Sequence, residues 1–158
     1  MPMRWMAIDH GSRRIGIALC DADETVATPY GVWPNTKQMT VERLANLAME
    51  EGVGGVVIGL PRHEDGQESA TAPQVREFAA ALDRALSGSV PILFWGEHLS
   101  TVEAERLMVE SGARSSDIRK LADAVAASLI LEDLLASRRR NRIPLTSPDG
   151  GRGAEEAK

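Results

Sequence analysis

The stretch WMAIDHGSRRIGIALCD, residues Trp5–Asp21, constrains the fold most strongly, because two apolar runs flank a short polar turn. This pattern predicts an antiparallel β-hairpin. In the second strand, Gly16, Ala18 and Cys20 share one face and are all small, so another element can pack closely against that face. The first strand ends in Asp9, and an acid at a buried strand end costs free energy unless it is paired or binds a metal.

The rest of the chain contains helical and strand patterns in alternation. Helical spacing is present in TVERLANLAMEEG, PQVREFAAALDRAL, STVEAERLMVESG and LADAVAASLILEDLLASR. Short strand patterns are present in VATPYGVWP, GGVVIGLP and VPILFWGE, and polar loops are predicted for RHEDGQES and ARSSDIRK. The order β-β-β-α-β-α-β-α-α predicts an α/β protein with a mixed five-stranded sheet, built from antiparallel hairpin strands and parallel strands and flanked by helices.

Composition and charge exclude several classes of protein. No apolar run reaches the roughly 18 residues of a membrane span, and the start of the chain lacks a signal-peptide pattern, so we expect a cytoplasmic protein. The single cysteine excludes an internal disulfide and gives no zinc-site spacing. Residues 1–137 carry 12 Lys and Arg against 20 Asp and Glu, whereas residues 138–158 carry 6 against 3. The acidic body argues against nucleic-acid binding by bulk charge, although it leaves room for a local basic rim.

Three carboxylates, Asp9, Glu97 and Asp123, occupy positions that need an explanation. Asp9 and Glu97 each end an apolar strand pattern. The alternative for Asp9 is an ordinary turn residue. The alternative for Glu97 is an acid that complements the dipole of the following helix. Asp123 shares a helical face with the apolar residues Ala127 and Ile130, so it is expected to face the sheet. A first-turn acid favoured by the helix dipole is the alternative for Asp123.

The three acids together favour a metal site over three separate structural roles. Carboxylates that are brought together repel one another unless a cation lies between them. Oxygen ligands without a Cys or His cluster favour Mg²⁺ or Mn²⁺ over zinc. Such a site is suited to phosphoryl transfer with an activated water as the nucleophile.

Four motifs, in the same order along the chain, resemble those of the YqgF/RuvX family. They are DHGSRRIGIAL, VVIGLPRHEDGQES, EHLSTVEAERLM and LADAVAASLILEDLL, and they span about residues 4–135. The resemblance implies a ribonuclease H-like domain over residues 1–137, followed by a basic and then disordered tail over residues 138–158. The family is described both as a candidate nuclease for the 5′ end of precursor 16S rRNA and as a candidate Holliday-junction resolvase. The implied partner is therefore precursor rRNA or branched DNA.

The resemblance also implies the site residues. Asp9, Glu97 and Asp123 fall on the three acidic positions of the family, where they would be catalytic and would hold Mg²⁺ or Mn²⁺. Arg14 matches the family arginine and is expected to meet a substrate phosphate. Arg13 and Gly11 complete the expected substrate-binding set, since Gly11 lets the backbone turn close to the metal.

Three positions depart from the family pattern. Gly96 replaces an acidic residue, His98 replaces an arginine and His63 replaces an asparagine. These changes remove one negative charge and one fixed positive charge near the site, because an ordinary histidine is mostly neutral at pH 7. They bear on substrate preference and rate more than on metal binding.

Two other functions compete with the nuclease. An actin-like or sugar-kinase-like ATPase also begins with a D-x-G hairpin, but it needs a second, similar half for which 158 residues leave no room. A non-catalytic nucleic-acid-binding module of the same fold would gain nothing from clustered acids near phosphates. The sequence leaves a monomer and a homodimer open. Arg138, Arg139, Arg140 and Arg142 either complement a helix C-terminus or contact phosphates.

Overall fold

The computed structural model describes residues 2–61, 70–97, 106, 108–110, 112, 115–141 and 156–157. The strands are β1 (Trp5–His10), β2 (Arg14–Cys20), β3 (Ala27–Pro34), β4 (Gly55–Pro61), β5 (Ile92–Glu97) and β6 (Glu156–Ala157). The helices with described bounds are α1 (Gln38–Glu50), α2 (Ala72–Ala85) and α3 (Ser115–Asn141). Residues 106 and 108–110 are also helical and Gly112 is in a turn, while the other residues of that predicted helix lie outside the described residues.

The strands form one mixed sheet in the order β3-β2-β1-β4-β5-β6. Strands β1, β2 and β3 pair antiparallel, whereas β4, β5 and β6 continue the sheet from β1 in parallel. The predicted hairpin and the predicted mixed five-stranded sheet are confirmed. The two-residue strand β6 adds a sixth strand and differs from the disorder predicted for the tail, because its backbone pairs with the open edge of β5.

Helices cover both faces of the sheet. Side chains alternate between the two faces along each strand, so both faces carry apolar residues that need to be covered. Helices α1 and α2 pack on one face around a core that includes Ile8, Ile58 and Leu82. Helix α3 packs on the other face against Ala7 and Val57, among other residues. Among the described residues, no helix combines the length and the apolar character needed to cross a membrane.

Helix α3 is longer than the sequence pattern predicts at both ends. The polar loop predicted for residues 113–120 is wrong from Ser115 onwards, since the helix already begins there. The segment contains neither Gly nor Pro to stop a helix, and its polar side chains are compatible with one. At the other end the helix continues past residue 137 to Asn141, so three of the tail arginines are helical.

The C-terminal end of α3 is fixed to the turn between β2 and β3 by a buried ion pair. Arg138 donates from Nε to Glu24 Oε1 at 2.7 Å and from Nη2 to Glu24 Oε2 at 3.1 Å. Its guanidinium also lies 5.1 Å from the ring centroid of Trp5. The two side chains are only 14% and 10% exposed, so the pair is well shielded from water. The phosphate-binding role considered for Arg138 is therefore wrong, because a buried acid already occupies its guanidinium.

Candidate active site

Asp9 lies near the C-terminal end of β1, at the edge where the parallel strands β1, β4 and β5 all end. In the antiparallel ladder it pairs with Gly16 of β2. Strand β5 ends at Glu97, which pairs with Pro61. The backbone thus brings the ends of both acid-bearing strands to one edge of the sheet, while the side chain of Glu97 lies outside the described part of the structure.

Helix α3 reaches this edge because Gly16 has no side chain. A Cβ atom at Gly16 would lie 2.0 Å from the carbonyl oxygen of Asp123, which is far inside van der Waals contact. The backbone of α3 therefore rests directly on β2, one strand away from Asp9. The small face predicted for β2 is what positions Asp123, which is 7% exposed, beside Asp9.

Arg14, the first residue of β2, forms an ion pair with Asp123. Its Nε donates to Asp123 Oδ2 at 2.6 Å, and the pair links residues 109 positions apart in the chain. The arginine side chain is 57% exposed, whereas that of the aspartate is 10% exposed. Arg14 thus compensates the charge of Asp123 while most of its own side chain remains open to solvent.

Asp9 has the most perturbed acid–base behaviour in the site. Burial, followed by the negative charge of Asp123, raises the pKa of the Asp9 carboxyl from its ordinary value of 3.8 to about 7. The next residue, His10, has its pKa lowered by burial, and its ring lies 4.7 Å from that of Phe78. A neutral His10 therefore adds no positive charge to offset Asp9.

A tight turn of the hairpin closes the site on one side. The backbone N–H of Gly11 donates to the carbonyl of Arg14 at 2.9 Å, and a Cβ at Gly11 would lie 2.8 Å from that same oxygen. Asn35 holds the turn from outside: its side chain donates to the Gly11 carbonyl at 2.8 Å, and its backbone N–H donates to the Arg13 carbonyl at 2.8 Å. The turn therefore requires a glycine at position 11 and is fixed to the end of β3.

These elements enclose an open cavity of about 300 Å³. Five of the residues predicted for the site line it, together with two neighbours in the hairpin turn: Asp9, His10, Gly11, Ser12, Arg13, Arg14 and Asp123. Of the replaced family positions, His98 and His63 lie outside the described residues, while Gly96 is the penultimate residue of β5.

The donor set of the cavity fits a hard divalent cation. Asp9 and Asp123 offer carboxylate oxygens, which Mg²⁺ and Mn²⁺ prefer, and their mutual repulsion would be relieved by a cation. Across the described ranges, no three His, Cys, Asp or Glu side chains form a metal-binding group. Glu97, the third acid predicted for the site, is the last residue of β5.

Two residues that organise this site were missed by the sequence interpretation of its chemistry. Gly16 was recognised only as one of several small residues, although a side chain there would collide with the backbone of Asp123. Asn35 follows the last strand of the antiparallel set in the sequence WPNT. Asparagine in a turn is a signal for side chain–backbone hydrogen bonds, but the sequence does not indicate which backbone it would contact.

Comparison with known proteins identifies relatives of this chain. A family model described as "RuvX: Holliday junction resolvase" matches residues 3–137. The "Putative pre-16S rRNA nuclease" of Roseobacter denitrificans is 37% identical over 131 residues, which are 82% of this chain and 80% of the relative.

Two solved structures of RuvC from Thermus thermophilus are similar in fold. The structure described as "Thermus thermophilus RuvC structure" aligns with a TM-score of 0.54 at 18% identity, covering 87% of this chain and 97% of that one. Its complex with a Holliday junction substrate aligns with a TM-score of 0.52 at 17% identity, covering 87% and 96%. The expected ribonuclease H-like fold is thereby confirmed, and on the match over residues 3–137 this chain belongs to the RuvX family.

Proposed function

We propose that this protein is a metal-dependent nuclease that hydrolyses phosphodiester bonds and processes the 5′ end of precursor 16S rRNA. The observation that carries the proposal is the convergence of Asp9 and Asp123 on one open cavity beside an exposed arginine. The substrate follows the name of the Roseobacter relative. The proposed location is the cytoplasm.

The acids have the proposed role of holding Mg²⁺ or Mn²⁺. Asp9, Asp123 and, from the end of β5, Glu97 would be its ligands. When bound, such a cation polarises the scissile phosphate and lowers the pKa of water. Asp9 must be deprotonated to bind it, and its pKa of about 7 in the metal-free protein makes binding release a proton over part of the neutral range.

The hairpin turn has the proposed role of holding the substrate backbone. Arg14 already donates through Nε to Asp123, so the terminal nitrogens of its fork are the ones proposed to meet a phosphate. Arg13 is exposed on the same rim. Gly11 keeps the turn tight enough for the backbone to lie beside the phosphate.

A second candidate substrate is a four-way DNA junction. It is favoured by the description of the matching family model and by the fold shared with a RuvC that was solved with a Holliday junction substrate. Symmetric cutting of a junction would require two active sites related by a two-fold axis, and hence a homodimer. Precursor rRNA trimming has no such requirement.

The test is a side-by-side cleavage assay with a precursor-rRNA leader and a synthetic four-way junction, in Mg²⁺ and in Mn²⁺. We expect the wild type to cut the leader and both Asp9→Asn and Asp123→Asn to be inactive while remaining folded. Asp23→Asn is the matched control, since this exposed carboxylate lies in the turn between β2 and β3 at the other end of the sheet. If the wild type cuts the four-way junction and not the leader, the substrate is branched DNA and not precursor rRNA.

Two results would contradict the nuclease itself. If the wild type binds either nucleic acid but cuts neither in any divalent metal, the protein is a binding module of the same fold. If Asp9→Asn cuts at the wild-type rate, the chemistry lies elsewhere in the molecule.

A further inference from the structure

An arginine is stacked on an aromatic ring at the outer edge of the sheet. The guanidinium carbon of Arg43, on α1, lies 3.8 Å from the ring centroid of Trp33, on β3. Arg43 is exposed, and Trp33 is half-buried against the core. Stacking of this kind fixes the plane of the guanidinium and leaves its nitrogens free to form hydrogen bonds.

Tyr30 extends this surface along β3. The register between β2 and β3 shifts at this point, because Pro29 pairs with Ala18 and Gly31 pairs with Ile17, so Tyr30 is the bulged residue. Its ring is edge-on to Trp33, with centroids 6.4 Å apart, and 49% of the residue is exposed. A bulge at a sheet edge commonly redirects one side chain, and here that side chain is an accessible aromatic ring.

The surface formed by Tyr30, Trp33 and Arg43, hereafter the β3 ledge, lies at the same end of the sheet as the active-site turn. Trp33 pairs with Ile15, one residue after Arg14. Asn35, two residues after Trp33, forms the hydrogen bonds that hold the turn described above. Trp33 packs on the α1 face of the sheet and the acids lie on the α3 face, so the ledge and the cavity meet at the hairpin turn.

Positive charge is concentrated along this edge in an otherwise acidic body. Residues 1–61 contain five Lys and Arg, and four of them, Arg13, Arg14, Lys37 and Arg43, lie on the hairpin turn or between β3 and the middle of α1. The fifth, Arg4, pairs with Glu51 at the opposite end of β1. A run of cations beside an exposed aromatic ring has the chemistry of a single-stranded nucleic-acid site.

We propose that the β3 ledge binds unpaired nucleotides that pass from the cavity over the hairpin turn, with a base stacked on Tyr30 and a phosphate held by Arg43. The proposal rests on the proposed nuclease function, since it extends the substrate path from the same cavity. A single strand is favoured over a duplex because stacking on a side chain needs an exposed base face, which a continuous duplex does not offer.

Binding is tested in the Asp9→Asn background without divalent metal, with oligouridylate and with the duplex it forms with oligoadenylate. Tyr30→Ala should weaken oligouridylate binding about tenfold, and Tyr30→Phe should retain it. Arg43→Ala should reduce the slope of log affinity against log salt by about 0.7. The matched control is Arg84→Ala, an exposed arginine in the last turn of α2, which should bind like its parent.

Tryptophan fluorescence gives a second, direct measurement. Of the three tryptophans, Trp5 is fully buried and Trp95 is 3% exposed, so only Trp33 is accessible to a bound base. Oligouridylate should quench part of the emission, and Trp33→Phe should abolish that quenching. The duplex should leave the emission unchanged.

The outcomes separate this proposal from the nuclease. Wild-type affinity and salt slope in both Tyr30→Ala and Arg43→Ala would overturn the ledge, even if the protein cleaves precursor rRNA. Equal losses for oligouridylate and duplex would overturn its preference for unpaired nucleotides. The expected binding and quenching with no metal-dependent cleavage would support the ledge and refute the nuclease.

Discussion

The charge of Asp9 should destabilise the metal-free protein, and removing it should therefore stabilise the fold. The pKa of this carboxyl is about 7 in the folded protein, against an ordinary value of 3.8. The folded state thus holds a proton that the unfolded state has already lost between these two pH values. The stability that comes from this proton is full below about pH 4 and is lost as the pH rises through 7.

Asp9→Asn keeps the shape of the neutral side chain at every pH. Its stability advantage over the wild type should be near zero at about pH 3, should grow through the intervening range, and should level off above about pH 7. The upper limit is about 4 kcal/mol, taking about 1.4 kcal/mol for each pH unit between the two pKa values. Asp9 is half-buried and lines the open cavity, so solvent screening lowers the expected plateau to about 2–4 kcal/mol.

The measurement is urea unfolding of both proteins in chelator across this pH range. A difference of this size should move the midpoint by about 1–2 M if the slope is about 2 kcal/mol per M. Asp23→Asn is the control and should follow the wild type at every pH. Added Mg²⁺ should stabilise the wild type and not Asp9→Asn. An Asp9→Asn variant that is less stable than the wild type at all pH values would refute the burial and repulsion inferred for Asp9.

Three further substitutions test the framework of the site. Gly16→Ala should force α3 away from β2 and abolish metal-dependent cleavage, whereas Gly31→Ala, whose Cβ would meet nothing closer than 3.8 Å, should stay active. Arg14→Lys should lower the cleavage rate because it loses the forked geometry. A rate equal to wild type would mean that Arg14 serves only as an ion-pair partner and does not bind substrate. Arg138→Ala should cost about 3 kcal/mol of unfolding free energy by leaving its buried glutamate partner uncompensated, as measured by urea unfolding. Arg140→Ala, an exposed neighbour, should cost less than about 0.5 kcal/mol.

The acids of the site were predictable because each one interrupts a simple periodic pattern. Asp9 ends an apolar strand pattern, and Asp123 lies on the apolar stripe of its helix, so the pattern predicted that Asp123 faces the sheet. The small residues of β2 likewise predicted a close approach. Such local patterns predict which face of a helix or strand is buried. The ends of parallel strands then meet at one edge of the sheet.

The contacts that hold these elements in place were not predictable in the same way. Arg138 and Glu24 are 114 positions apart, and neither lies in a pattern that distinguishes a buried partner from a solvated charge. The start of α3 at Ser115 was missed for a related reason. Its polar first turns carry no apolar stripe, so only packing of the remaining helix reveals that the segment is helical.

Net charge is another property that the sequence gives for the whole chain without showing where each charged side chain lies. The excess of acids in residues 1–137 argued against binding by bulk charge, and it made the arginines at the chain's end candidates for phosphate contacts or for complementing a helix C-terminus. The structure instead divides the arginines by position along the sheet. Arg138 neutralises a buried acid at the end where β1 begins, while Arg13, Arg14 and Arg43 lie at or beside the end where β1 stops. Because screening limits charge interactions to about 8 Å at physiological salt, a phosphate in the cavity would respond to these nearby cations far more than to the acidic total.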